Sequence, residues 1–355
     1  MNSSSFVSFI LIRGSVSREQ YIYLDNIFGM VKAVGEPTAA VCLALSAIVF
    51  LLDRKRNATT LYLVALNFAE SFNMTMLSVY QLCKITPGCN QRPAYHYANF
   101  WLGSYVGISC RRSVQVLNCL VATQRFIAIA FPLRAKTSFL LNHPTLTSLC
   151  VLLVSLSFHS YMAFMYDVGP SGARLSGLAI RNYPLFRDLQ HSIMYLFMHL
   201  SLVLTAAANI GTTVTLVLHK RKMRGVRNTQ KTSGAREKNE RSMTIMVLVC
   251  TALFVVMYLP VSTNQTVADF VSDYGMGTRE HYLFFLMNSA FMMCQVLAAQ
   301  FVFVCYLTLN SSFRKNLVII LFTIFCPLPK CRLCVLASIT NKKNGPKRPD
   351  IPKNR

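Results

Sequence analysis

Ser242-Met-Thr-Ile-Met-Val-Leu-Val-Cys-Thr-Ala-Leu-Phe-Val-Val-Met-Tyr-Leu-Pro-Val-Ser-Thr-Asn-Gln-Thr-Val-Ala268 runs without one charged side chain. A helical crossing of a bilayer needs about 20 mostly apolar residues, and this stretch exceeds that. Working outward from it, six further apolar segments stand at about 30–52, 60–83, 98–130, 144–166, 191–218 and 282–308. Lipid offers no partner for a backbone N–H or C=O, so an open sheet cannot cross and a helix is the default. The predicted fold class is an all-α membrane protein, a seven-transmembrane helix bundle. Composition agrees: 53% of the 355 residues are hydrophobic and 14% are charged, against about 25% charged in an ordinary soluble domain.

The net charge of +23 raises nucleic acid as a partner, because basic chains bind phosphate electrostatically. Its distribution excludes that reading, since the Lys and Arg residues sit in short clusters beside membrane-length segments. If the N-terminus is outside, 25 of the 36 fall on the inner side, including Arg54, Lys55 and Arg56, the run from Lys220 to Arg241 and the tail from Arg314 onward. Nine fall outside, and Arg111 and Arg112 lie within the third span. Short loops rich in Lys and Arg stay in the cytoplasm, which predicts an extracellular N-terminus at the plasma membrane. Asn2-Ser-Ser is then an extracellular glycosylation sequon.

Phe6 to Ile12 is a short apolar run with no basic residue before it, a poor signal peptide, so the first span is read as an uncleaved signal anchor. Most of the 12 cysteines fall inside apolar runs, where a thiol packs as a small hydrophobe. After the seventh span, Leu317 to Cys326 is about half a crossing long. It reads as an amphipathic surface helix over 311–326, lying on membrane lipids, with Cys326, Cys331 and Cys334 as acylation candidates. That leaves an N-terminal tail over 1–29, a membrane domain over 30–310 and a basic disordered cytoplasmic tail over 327–355.

Four segments carry a resemblance. The second span holds Leu61-Tyr-Leu-Val-Ala-Leu-Asn-Phe-Ala-Glu70; the third ends Thr123-Gln-Arg-Phe-Ile-Ala-Ile-Ala-Phe-Pro-Leu133. The sixth carries Phe254-Val-Val-Met-Tyr-Leu-Pro260, and the seventh ends Val302-Phe-Val-Cys-Tyr306. These resemble the rhodopsin-like G-protein-coupled receptors, in divergent form and closest in flavour to invertebrate peptide receptors. The resemblance makes Arg125 the coupling arginine, with Gln124 in place of the neighbouring acid. Glu240 becomes its partner on the sixth helix and Tyr306 the inner tyrosine of the seventh. Glu70, Phe254, Tyr258 and Pro260 take the places of the intramembrane switch. Departures are equally plain: Leu43 stands where an asparagine is expected, the Asn-Pro pair before Tyr306 is absent, and so are both cysteines of the usual outer disulfide. Reduction is therefore expected to leave the protein nearly unchanged.

An ionisable group in a membrane helix faces the interior and has a partner. For Glu70 three readings stay open: a sodium site, weakened because Val114, Ala298, Ala299 and Val302 supply no oxygens; an ion pair with Arg111; or protonation by burial. Arg111 and Arg112 point about 100° apart, so one should face the ligand cavity and could hold a carboxylate. Arg111, Arg112, Tyr258 and Asn264 are the pocket candidates.

The resemblance implies a receptor for an extracellular ligand, with a peptide as its candidate class, that activates a heterotrimeric G protein. Scattered histidines and the lack of a nucleophile elbow or phosphate loop point away from an enzyme, and no cofactor or metal is expected. The alternatives are a seven-helix transporter or channel, for which no internal repeat is found, and a receptor-like protein that no longer couples.

Overall fold

The computed structural model describes residues 14–53, 57–89, 91–135, 137–169, 172–224 and 234–325, the side chains of 220–224, 234–241 and 323–325 excepted. Seven long helices and one shorter one form a bundle: α1 Arg18–Leu51, α2 Ala58–Ile85, α3 Pro93–Ala130, α4 Pro144–Met165, α5 Tyr183–His219, α6 Gly234–Phe270, α7 His281–Leu309 and α8 Ser311–Phe325.

Local capping sets several of the helix ends. In α1 the Ser17 hydroxyl accepts from the Gln20 N–H, and the Gln20 side chain accepts from the Ser17 N–H. This reciprocal cap satisfies two otherwise orphaned donors and starts the helix at Arg18, not near residue 30. In α2, Asn57 Oδ1 accepts from the Thr60 N–H at 2.9 Å. The turn from α7 into α8 is capped twice. Asn310 Oδ1 accepts from the N–H groups of Ser312 and Phe313, and Arg314 donates to the last α7 carbonyls, those of Leu307 and Thr308.

Six of the helices carry a window long and apolar enough to cross a membrane; α2 does not. Its buried residues include Thr59, Thr60, Asn67, Glu70, Asn73, Ser78 and Gln81. It packs along α1, α3 and α4, so these polar groups face protein and low hydropathy is compatible with a place in the bundle. Large apolar side chains cover the perimeter instead: Val34, Phe68, Val203, Ile210 and Val256 are all exposed. The outside is as apolar as the inside, as a lipid-facing surface requires.

The all-α expectation needs one amendment. Between α4 and α5 the chain forms an antiparallel hairpin, β1 Tyr166–Gly169 with β2 Gly172–Leu175. Gly172 sits at φ +117°, a conformation that a Cβ would strain. The hairpin marks one end of the bundle and α8 marks the other. Near the hairpin end, Cys83 and Cys89 form a disulfide, which corrects the expectation of an outer face without a bridge. The sought pair is absent, but this one closes the turn between α2 and α3 by a separation of 6 residues.

Candidate functional site

Beneath the hairpin, α3, α4 and α5 part around a cavity of about 400 Å3. Its wall combines Phe100, Ser104, Ile108 and Arg112 of α3 with His159, Tyr161, Met162 and Met165 of α4, Gln190, Ile193 and Met194 of α5, and Tyr166 and Ala173 of the hairpin. Both bordering helices change pitch there. Backbone bonding is of the wider π type over Asn99–Gly107 in α3 and over Tyr195–Leu200 in α5. Such widened turns recur at functional sites because they displace side chains from the regular helical faces.

Arg112 is the one formally charged residue in that wall. Its Nη1 donates to Gln115 Oε1 at 3.2 Å, while its buried Nε has no hydrogen-bond partner among the described residues. His159 is buried, with Nδ1 2.7 Å from the Ser155 carbonyl. A carbonyl only accepts, so Nδ1 carries the proton.

Arg111 points elsewhere. Its Nη2 donates to Gln295 Oε1 and lies 2.8 Å from the Met292 sulfur, both on α7. Glu70 is contacted instead by the Tyr258 hydroxyl, 3.4 Å from Oε1, and its Oε2 has no partner among the described residues. A direct Glu70–Arg111 salt bridge, one of the three sequence readings, is therefore not formed in this structure. Glu70 and Tyr258 line a separate void of about 40 Å3, too small for an organic ligand, with Leu43, Val114, Ala298, Ala299 and Val302. Phe254 stacks on Tyr258 with ring centroids 4.3 Å apart, two turns or less below Pro260 on α6.

Toward α8 the bundle closes. Gln124 is buried and accepts from Thr59 across to α2 at 2.9 Å. Phe126 fills the space over Gly211 so closely that a Cβ there would lie 2.7 Å from its ring. Tyr306 is 1% exposed; Asn67 donates to its hydroxyl at 3.3 Å. It meets Phe50 at 5.0 Å and Phe313 at 5.5 Å. One side chain thus ties α1, α2, α7 and α8. Arg125 is part-buried on the last turns of α3, about 20 Å along the axis from Arg112.

The ligand-sized cavity thus lies at one end of the bundle and Arg125 toward the other. The family model of the serpentine type 7TM GPCR chemoreceptor Srw matches residues 58–324, from the start of α2 into the last turn of α8. The chain belongs to the Srw family. No curated protein matches it. The family is one of 7TM GPCR chemoreceptors, not an enzyme family. The receptor class read from the Arg125 and Pro260 segments stands; the finer rhodopsin-like and peptide labels are not what the match carries.

Of the four pocket candidates the Srw receptor places only Arg112 in the large cavity. Asn264 instead ties α6 to α7: it donates to the Phe284 carbonyl and accepts from the Tyr274 hydroxyl. Sequence reasoning missed His159, Gln190 and the three methionines. Only His159, an ionisable group inside an apolar helix, offered a cue. Asn2, Cys326, Cys331, Cys334 and the Glu240 side chain lie outside the described residues.

Proposed function

We propose that this Srw receptor detects a ligand from outside the cell and passes the event to a heterotrimeric G protein. Its N-terminus and hairpin end face outward, and its Arg125 end faces the cytoplasm at the plasma membrane. Ligand binding shifts a two-state bundle toward the form that opens the Arg125 end, and the size of that shift is set by the ligand's preference for one state. The observation that carries the reading is the 400 Å3 cavity under the hairpin, separated along α3 from Arg125. Volumes of about 300–1,000 Å3 suit small-molecule ligands, so the cavity fits a compact compound or the end of a peptide, not a whole peptide.

Nucleotide exchange on a panel of purified G proteins tests this, with the receptor in lipid nanodiscs against empty discs. Exchange above the empty discs is expected with at least one G protein, and Arg125→Ala should reduce it severalfold. No exchange with any member would sink the coupling half of the proposal and leave a receptor-like protein that no longer signals. Accessibility of an N-terminal tag on intact cells checks the orientation independently.

A further inference from the structure

We infer that the large cavity takes a small organic acid, its carboxylate held by Arg112 and its apolar body lying among Met162, Met165, Met194 and Phe100. The inference rests on the receptor reading for its biological sense but on the cavity's chemistry for its content. Arg112 brings a permanent positive charge into a wall with no Asp or Glu. Among the described residues the ion pairs are Lys84–Asp25, Arg187–Asp188 and His191–Asp269, and none includes Arg112.

A guanidinium has five N–H donors, pre-set for a planar bidentate acceptor. Here Nη1 is engaged by the neutral oxygen of Gln115 while the buried Nε has no hydrogen-bond partner among the described residues. Membrane-buried charges are ordinarily paired or face a substrate path. This one faces a cavity of ligand size, which leaves a ligand anion as the missing partner.

The single charge on the wall matches a monoanion. A phosphate dianion would call for a second cation, and Arg111, the nearest in sequence, is turned to Gln295 on α7. The rest of the ligand is read from the other side chains. Three methionines form a polarizable wall that adapts to varied apolar shapes, and Phe100, Tyr166 and Tyr161 add aromatic surface. Arg112 is thus a binding residue and a local cost to the empty protein.

Thermal unfolding of the purified receptor in nanodiscs tests this without any G protein. The probes are straight-chain and phenyl-terminated monocarboxylic acids of about four to twelve carbons, a size range suited to the cavity, each beside its primary amide. At least one acid should raise the Tm of the wild type by a few degrees more than its amide does. Arg112→Gln should lose that difference and, unliganded, melt at or above the wild-type temperature, because a buried charge without a counter-ion is gone. If Arg112→Gln does not fold, Arg112→Lys keeps the charge but loses the fork, and should weaken the acid about tenfold. Ser104→Trp should block the acid with Arg112 intact. Equal shifts for every acid and amide, or an acid shift undiminished in Arg112→Gln, Arg112→Lys and Ser104→Trp, would overturn the proposal. Nucleotide exchange in a receptor whose Tm shows no acid-over-amide difference would remove the acid site and leave the receptor, while an acid-specific Tm shift without exchange would do the reverse.

Discussion

The two ends of this bundle are built to opposite specifications. Toward α8, Phe50, Tyr306 and Phe313 interlock with Tyr62, Leu117, Val121 and Met246 in one continuous core, stitched by side-chain bonds from Thr59 to Gln124 and from Asn67 to Tyr306. Toward the hairpin the packing gives way to the 400 Å3 cavity. Several buried polar atoms on this side and in the middle, among them Glu36 Oε2, Gln81 Oε1, Arg112 Nε and Gln295 Nε2, have no hydrogen-bond partner among the described residues. Unsatisfied buried polar atoms are rare because each carries a desolvation cost. The contrast in packing, a continuous aromatic core against an open cavity, puts more stabilising contact in the α8 half and leaves room for binding in the hairpin half.

The largest effect should come from breaking the dense half. Phe50 is 2% exposed and contacts the rings of both Tyr306 and Phe313, so Phe50→Ala should cost about 3–5 kcal/mol. Met194→Ala, on the cavity wall, removes a side chain that already faces open space, and should cost clearly less. Unfolding midpoints of the two variants in the same nanodiscs check this. Equal losses would break the contrast between the ends.

Next comes the Cys83–Cys89 bridge. In the chain-entropy account, closing so short a loop stabilises by about 2 kcal/mol. Reduction, or Cys83→Ser, should therefore lower the melting temperature measurably, where the sequence reading expected no change. That reading searched for a familiar pairing between α3 and the outer loop. It passed over a pair 6 residues apart that needs no partner from a distant element.

The fold was legible because lipid imposes one rule on every crossing segment. All seven apolar runs became helices, with most ends within two residues of those read from hydropathy, but the starts of α1, α3, α5 and α6 lie well before those runs. Arg18 to Gly29 is held in α1 by a Ser17–Gln20 cap, and α2 hides its polar residues against neighbours that only the tertiary structure supplies. Of the candidate site, the sequence offered the divergence of Arg111 and Arg112: in the structure Arg112 lines the cavity and Arg111 turns to Gln295 on α7. Tyr258 lies instead at the small void beside Glu70, and Asn264 in the α6–α7 contact. The π-bonded turns at Asn99–Gly107 and Tyr195–Leu200 arise from packing and leave no pattern in composition.

A comparable effect should follow from loosening the junction behind Arg125. Thr59 donates to Gln124 inside the α2–α3 contact, where both residues are buried. Thr59→Ala removes the donor and leaves the Gln124 oxygen without it, at a cost of about 1–3 kcal/mol. Thr59→Ser keeps the hydroxyl and should recover most of that stability in the same unfolding assay. If serine rescues nothing, the methyl group's packing matters there and the hydrogen bond does not.

The smallest effect concerns Glu240, and it asks whether the closed end is also a switch. Glu240 lies on α6, 20 residues before Pro260, or roughly 30 Å along the helix axis. Arg125 lies near the end of α3 on the α8 side, so the two stand at similar depth. A contact between them would hold α3 and α6 together in the resting state. An ion pair at a wet edge is worth about 0.2–1 kcal/mol, which biases a two-state equilibrium by no more than a fewfold. Glu240→Ala should then raise basal nucleotide exchange by that modest factor, without abolishing the response to a ligand and without the stability loss of Phe50→Ala. Arg125→Ala should lower exchange, because it removes the group offered to the G protein along with the restraint. Unchanged basal exchange in Glu240→Ala, in a receptor shown to couple, would mean that the α8 end is closed by its apolar core alone, with no ionic latch.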